Sequence, residues 1–190
     1  MADPGALNST DTAVQQRLTA LSFTVVLADD NTVVVGDTLN QELVFISDSV
    51  NEGALGATLC DARAPVIVAK AALYDEMNLT AAGNNGSEVN QTSIDIIDPA
   101  HSMAAGLAGT VSLLTGSNNI GWAVTQPGAQ QVASITGDPG RITIFGYPAS
   151  ANITCAALPA RRVGFPLAAG AALTLEGWRL FDAAVNWIVP

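Results

Sequence analysis

Short apolar runs separated by polar turns dominate the first third of the chain. Residues 23–28 (FTVVLA), 43–47 (LVFIS) and 65–69 (PVIVA) are continuous apolar segments of strand length, rich in β-branched side chains. A strand that is apolar at successive positions must be buried on both faces, as in a parallel sheet covered by helices. The pattern therefore predicts an α/β fold with these three strands at its centre.

Three segments carry the caps and the apolar spacing of helices. The best of them ends the chain, where Trp178, Phe181, Val185 and Ile188 recur at helical intervals. Side chains of Asn, Ser and Thr cap helix amino ends by accepting from free backbone N–H groups. The predicted helices are residues 8–21 capped by Asn8 or Ser9, residues 53–61 capped by Asn51, and residues 173–188 capped by Thr174.

The middle of the chain changes character. Residues 80–92 are polar and rich in Gly and Asn, which predicts a surface loop. Short extended segments follow, separated by turn signals, and they predict antiparallel strands that extend the sheet. These strands are predicted at residues 93–97, 111–114, 121–124, 131–136 and 142–147, and residues 162–165 are predicted to form a further short strand.

The position of the first strand is unusual. In a doubly wound fold the first helix normally follows a central strand, but only Met1–Pro4 precede the turn that enters the predicted first helix. The first strand is therefore expected to be short or missing, or its place is filled by another segment. An unfilled place exposes strand edges, which favours association with other chains.

Composition and charge narrow the possible functions. The 190 residues predict one domain over residues 1–190, with 49% apolar and only 13% charged residues. Seven basic against 17 acidic residues give a net charge of -10, which argues against nucleic acid and anionic membranes as partners. No apolar run is long enough to cross a membrane, so no membrane insertion is expected.

The same composition favours an extracellular or cell-surface location. Asn, Thr, Ser and Gly are plentiful, and Lys70 is the only lysine. Cys60 and Cys155 could form one disulfide in an oxidising compartment, or remain two buried thiols.

Seven segments in order resemble one known family. They are ADPGALNSTD (2–11), LVFISDSV (43–50), APVIVAKAALYDEM (64–77), DPAHSMAAGL (98–107), ITIFGYP (142–148), LPARRVGFPL (158–167) and LTLEGWRLFDAAVNWIV (173–189). This set is similar to the class I glutamine amidotransferase-like fold in its ThuA-like branch. It is most similar to uncharacterised non-catalytic modules of large secreted bacterial proteins. The resemblance implies a flavodoxin-like three-layer sandwich with a mostly parallel sheet and an antiparallel extension.

The catalytic groups of a glutaminase are missing from the matching positions. A glutamine amidotransferase needs a thiolate on the turn after a central strand, activated by His and Glu. Here that turn carries Lys70, and the only histidine, His101, has no Glu within two residues. Asp95, Asp98 and His101 stand three apart, but in a strand-to-turn segment where they need not converge, so no metal site or cofactor is predicted.

Five polar residues are the candidates for ligand binding. Asp48 and Ser49 follow a strand, at the sheet edge where α/β proteins bind ligands. Lys70 and Tyr74 could line the same polar crevice, and His101 could join them. The alternatives are structural: Lys70 pairs with Asp48 or Glu76, and His101 bonds backbone groups within a turn.

Two functions follow from these features. The first is a non-catalytic extracellular structural or interaction module that assembles with itself or with neighbouring domains through an incomplete sheet edge. The second is a carbohydrate-binding or carbohydrate-acting protein that holds a glycan in the crevice of Asp48, Ser49, Lys70, Tyr74 and His101. Sugar binding lost on substitution of Lys70 and His101 would favour the second.

Overall fold

The computed structural model describes residues 3–153 and 156–189, a mixed α/β domain with a strand-rich sheet. Its helices are α1 (Ser9–Ala20), α2 (Glu52–Leu55) and α3 (Leu175–Ile188), with one-turn 3₁₀ helices at Val35–Thr38, Ala71–Leu73 and Ser102–Ala104. The strands are β1 (Val44–Ile46), β2 (Val66–Val68), β3 (Thr80–Gln91), β4 (Ser93–Ile96), β5 (Gly109–Ser112), β6 (Asn118–Thr125), β7 (Gln130–Ile135), β8 (Asp138–Tyr147), β9 (Asn152–Ile153), β10 (Ala156–Ala157) and β11 (Arg162–Gly164).

Nine strands form the main sheet within the described residues. β1, β2 and β11 are parallel neighbours, with Val66 opposite both Val44 and Arg162. From β11 the sheet continues antiparallel through β8, β7, β4 and β5. β3 and β6 form an antiparallel pair that joins β8 at Ala123–Ile142. The predicted antiparallel extension is therefore found. The predicted mostly parallel sheet is wrong, because among the described strands only β1, β2 and β11 are mutually parallel and the other pairs are antiparallel.

Apolar clusters cover both faces of the parallel strands. Ile67 of β2 packs in a cluster with α1 and α3, whereas Val66 and Val68 face a second cluster that includes Leu55 of α2. Successive residues of a strand point to opposite faces, so a continuous apolar run meets both clusters at once. This is why the apolar runs at 43–47 and 65–69 correctly predict β1 and β2.

The two long helices begin at the caps that their sequences predict. The Asn8 side chain accepts from the backbone N–H of Asp11, and the Thr174 side chain accepts from that of Gly177. Arg17 of α1 forms an ion pair with Asp182 of α3, which ties the helices to each other. Asn51 likewise caps α2, which is shorter than predicted and ends at Leu55.

The predicted loop at residues 80–92 is wrong, because most of it is the strand β3. Its partner β6 brings Trp122 opposite Gly86, where an added Cβ would come within 2.7 Å of the indole ring. Glycine permits that close approach, and the polar side chains of β3 largely face solvent. Composition alone mistakes such an exposed, polar strand for a loop.

The predicted strand at residues 23–28 is also wrong in one respect. The segment is extended and its burial alternates, with Phe23 and Val25 packed against the core and Val26 exposed. Residues 24–27 pair with no strand of the sheet among the described residues. The described residues before α1, which begin at Asp3, contain no strand either.

Candidate functional site

A polar crevice lies where the parallel strands end. It has a volume of about 220 Å³ and is bordered by Asp48 after β1 and by Lys70 after β2. The side chains of Glu52, Ser87 and Asn119 and backbone near Gly121 and Ala168 complete its lining. The predicted meeting of Asp48 with Lys70 at this edge is therefore found in the structure.

Lys70 is held by two oxygen atoms rather than standing free. Its Nζ lies 3.1 Å from Oε2 of Glu52 and 3.2 Å from the backbone oxygen of Asp48. The pKa of Glu52 is lowered, chiefly by its hydrogen bond from Lys70 and then by the charge of that ammonium. The ion partner is thus neither of the predicted carboxylates, since Glu52 reaches over from α2.

Asp48 and Ser49 are engaged by other parts of the chain. Oδ2 of Asp48 accepts from the backbone N–H of Ala169 at 2.9 Å, which joins the loops after β1 and β11. Oγ of Ser49 donates to Asp11 at 2.7 Å, and Ser47 donates to the same carboxylate. Ser49 therefore anchors the first turn of α1 and does not line the crevice, contrary to its predicted role.

Tyr74 lies beneath the crevice instead of in its wall. The residue is fully buried, with its ring edge-on to Phe145 at 5.3 Å. Its hydroxyl has no hydrogen-bond partner among the described residues and lies close under Gly121. Burial, and secondarily the charge of Asp48, raise the pKa of Tyr74, so it stays protonated at neutral pH.

His101 is separate from the crevice. Its Nδ1 accepts from the backbone N–H of Met103 and its Nε2 lies 2.8 Å from Oε1 of Gln130. Its ring contacts Trp187, whose backbone oxygen accepts from Arg161 at the start of β11. Lys70 follows the end of the parallel strand β2, so His101 belongs to the opposite end of the sheet. The backbone-bonded turn is the interpretation that the geometry supports.

Cys60 is the one cysteine in the part of the chain that the structure describes. Cys60 is half-buried with a free thiol, and burial raises its pKa, with Asp61 as a secondary cause. A thiol with a raised pKa is a weak nucleophile at neutral pH. Cys155, the predicted disulfide partner, lies outside the described residues.

A second feature of the molecule is the open edge at β1. Val44 donates to Pro65 O at 2.9 Å and Ile46 accepts from Ala69 N at 2.8 Å, so both turn their backbone groups toward β2. Phe45, between them, directs its N–H and C=O to the other side. No hydrogen bond joins these two groups to any residue that the structure describes.

The extended segment 23–28 faces this edge across a slot. Residues of both walls, among them Val26 and Phe45, line a cavity of about 460 Å³ against α1 and another of about 170 Å³ against α2. Backbone groups of residues 24–27 form no hydrogen bond with other described residues. We call this feature the strand slot: the space between residues 23–28 and β1.

The sequence predicts that a strand position in the sheet is incomplete, but it does not predict which segments border that position. The apolar run 23–28 is the signal in the sequence that marks one wall of the slot. Asp11 binds Ser49 and so fixes the start of α1 at one end of the slot. In the sequence, Asp11 is recognisable only as an acidic residue in the first turn of a predicted helix. The exposure of Val26, at 76%, appears only in the folded chain.

Comparison with known proteins shows the fold alone. No protein-family model and no curated protein matches the chain. A solved structure of the cytoplasmic protein STM3548 from Salmonella typhimurium is similar, with a TM-score of 0.61 at 10% sequence identity. The match covers 93% of this chain and 86% of that one, so the similarity extends over nearly the whole domain.

The described part of the chain holds neither a metal-binding cluster nor a membrane-spanning helix. Residues 3–153 and 156–189 hold no group of three or more His, Cys, Asp or Glu side chains arranged to bind a metal ion. Within that same part of the chain, no helix has the length and apolar character to span a bilayer.

Proposed function

We propose that this domain is a non-catalytic interaction module that engages other polypeptides, including copies of itself, through the open edge of its sheet. The observation that carries this proposal is the strand slot, in which the backbone groups of Phe45 on one side and of residues 24–27 on the other bind no residue that the structure describes. Exposed strand edges template pairing with further strands, and proteins that do not use them normally cover or charge them. Here the exposed Val26 adds an apolar contact at the same place.

The chemistry at the carboxyl end of β2 supports the non-catalytic part. Where a class I glutamine amidotransferase-like protein would carry its nucleophile, Lys70 is held by Glu52 and by the Asp48 carbonyl. His101 lies toward the other end of the sheet and cannot serve there as a proton acceptor. The thiol of Cys60 has a raised pKa, which disfavours the reactive thiolate.

The wider proposal is a flavodoxin-like scaffold of the ThuA-like branch, working outside the cell. The parallel order of β1, β2 and β11 and the apolar clusters on both faces support the scaffold. The single lysine and the abundance of Asn, Thr and Ser support an extracellular place, as part of a larger surface protein or beside its neighbouring domains.

Sedimentation velocity over a range of protein concentrations tests the interaction module. We expect concentration-dependent association, lost in Val26→Glu, which places a charge in the slot. Leu175→Glu is the matched control, because Leu175 is 74% exposed against 76% for Val26 and lies at the start of α3. A wild-type protein that stays monomeric and that binds no polypeptide at the slot would contradict the proposal.

Carbohydrate binding in the crevice is the second candidate, favoured by the exposed polar groups there. Asp48, Lys70, Ser87 and Asn119 offer donors and acceptors for hydroxyl groups around about 220 Å³. That volume is below the usual range of about 300–1,000 Å³ for larger ligands, which limits the ligand to a monosaccharide. Isothermal titration with monosaccharides should show binding that Lys70→Ala abolishes and His101→Ala leaves unchanged; no binding to any sugar would exclude this candidate.

A further inference from the structure

We propose that the strand slot accepts one extended apolar peptide, which becomes a β-strand parallel to β1 and to residues 23–28. The proposal deepens the interaction function above by naming the partner's chemistry, and it rests on that function. Its occupant is a peptide segment of five or six uncharged residues, with aliphatic side chains at successive positions.

The backbone groups on both walls of the slot favour an inserted strand. Phe45 directs an N–H and a C=O into the slot, and residues 24–27 have no hydrogen-bond partners in the part of the chain that the structure describes. A strand between the walls would satisfy both rows at once, which edge-to-edge contact with one wall cannot do. The slot therefore favours insertion over simple edge pairing.

The cavities above and below the slot define the side chains of the occupant. On one face, Val14 and Leu18 of α1 line the larger cavity; on the other, Leu55 and Leu59 line the smaller. Successive side chains of a strand point alternately to these two faces. The side chains of Val14 and Leu18 on one face, and of Leu55 and Leu59 on the other, are aliphatic, so an occupant that packs against them needs aliphatic side chains on both of its faces, like the strand β2.

The direction of the bound strand follows from the chain direction of the two walls, β1 and residues 23–28. Asp11 at the start of α1 binds Ser49 beyond the carboxyl end of β1, so α1 leads away from that end. Residues 23–28 then return toward it, where Asp30 accepts from the backbone N–H of Asn51 at 2.6 Å. Both walls thus run the same way, and a parallel occupant gives evenly spaced bonds to each.

Charge at the borders of the slot further restricts the partner. Asp11 and Glu42 border the larger cavity, and Asp30 and Asp37 border the smaller. Carboxylates in a bound peptide would meet like charges there, whereas flanking lysines would meet opposite ones. The partner is therefore an apolar strand without acidic residues.

The test uses the whole chain and a labelled seven-residue peptide, with five valine and isoleucine residues between two lysines. We expect saturable binding by fluorescence anisotropy, weakened at least about tenfold in Val26→Glu and changed less than about twofold in Leu175→Glu. The same peptide N-methylated along one edge keeps its apolar side chains but loses donors, so its binding should fail. Equal binding of both peptides would overturn strand pairing.

Amide hydrogen exchange and cross-linking give independent readouts. On binding, exchange at the Phe45 amide should slow, while that at Val44, already bonded to Pro65, should not change. A photoreactive group at the peptide's carboxyl end should label residues near Asp11, and one at its amino end should label residues near Asn40. Labels in the reverse order would overturn the parallel direction.

Self-association gives the outcome that separates the two proposals. If the protein forms a dimer that protects Phe45 and no peptide binds or displaces it, the peptide proposal fails and the interaction function stands. If peptide binds as described while the protein alone stays monomeric, the peptide proposal stands and self-assembly fails. If neither occurs, both proposals fail.

Discussion

Asp11, in the first turn of α1, accepts a hydrogen bond of 2.7 Å from Ser49, which lies beyond the end of β1. Ser47 donates to the same carboxylate, and Asn8 donates to it from one turn earlier. The carboxylate is nearly buried and lies in the first turn of the helix. This one side chain fixes where α1 begins relative to the slot.

Asp11→Ala should therefore destabilise the domain. It leaves the hydroxyls of Ser47 and Ser49 without their acceptor, for an expected loss of about 1–3 kcal/mol in the free energy of unfolding. Urea denaturation followed by circular dichroism measures the loss. Asp3→Ala, at an exposed position before α1, is the control and should change stability by less than about 0.5 kcal/mol. Equal stability of the two variants would contradict the anchoring role.

Gly164 is required by the packing of β11 against β8. A Cβ at this position would overlap the ring of Phe145, which lies opposite it in the sheet. Gly164→Ala should thus lower the free energy of unfolding by about 1–3 kcal/mol through overpacking. Gly116→Ala is the matched control, because nothing lies within 4 Å of its added Cβ. Thermal or urea denaturation of both variants would show the difference, and a stable Gly164→Ala protein would contradict the packing.

Tyr147 should make the domain sensitive to alkaline pH. Its hydroxyl is buried and donates to Leu79 O, and burial raises its pKa to about 12. The unfolded chain releases this proton near pH 10, so between about pH 10 and 12 the folded state holds more protons. Stability attributed to this group is complete below pH 10 and falls by up to about 1.4 kcal/mol per pH unit above it.

Comparison with Tyr147→Phe isolates this effect. Arg162, whose pKa burial lowers to about 10, acts in the opposite direction over the same range and is present in both proteins. Urea denaturation at pH 8 and at pH 11 should give a smaller loss for the variant than for the wild-type protein. Equal losses would mean that Tyr147 ionises normally in the folded state.

Removing the Lys70–Glu52 ion pair should change the pKa of Glu52 clearly and the free energy of unfolding only slightly. Removing the ammonium in Lys70→Met should raise the pKa of Glu52 toward its ordinary value, as measured by carboxyl NMR titration. Because the Glu52 side chain is 58% exposed, the free energy of unfolding should change by less than about 1 kcal/mol. Lys70→Arg keeps the charge and should leave the pKa of Glu52 low; an unchanged pKa in Lys70→Met would exclude the pairing.

Much of the fold could be predicted because its signals are local. The caps Asn8 and Thr174 and the apolar spacing after them predict α1 and α3 nearly to the residue. The apolar run of β2 predicts a strand buried on both faces, as found. β3 could not be predicted, because its pairing depends on Trp122 meeting Gly86 from another strand.

The candidate site was predicted only in part. Asp48 and Lys70 were expected at one edge because parallel strands end there together. Tyr74 and His101 were misplaced, because the turn after β2 buries the first and the sheet separates the second from Lys70. The contact of Glu52 with Lys70 could not be predicted from the sequence, because only the position of α2 in the fold brings the two residues together.

The sequence by itself determined where the helices α1 and α3 begin and that the apolar runs at 43–47 and 65–69 become the strands β1 and β2. Those properties depend on residue type and on near neighbours along the chain. Only the tertiary structure decided that residues 23–28 stand apart from β1 and leave a slot between them. Pairing between strands and the depth of a cavity depend on contacts between distant residues, which local preference does not encode.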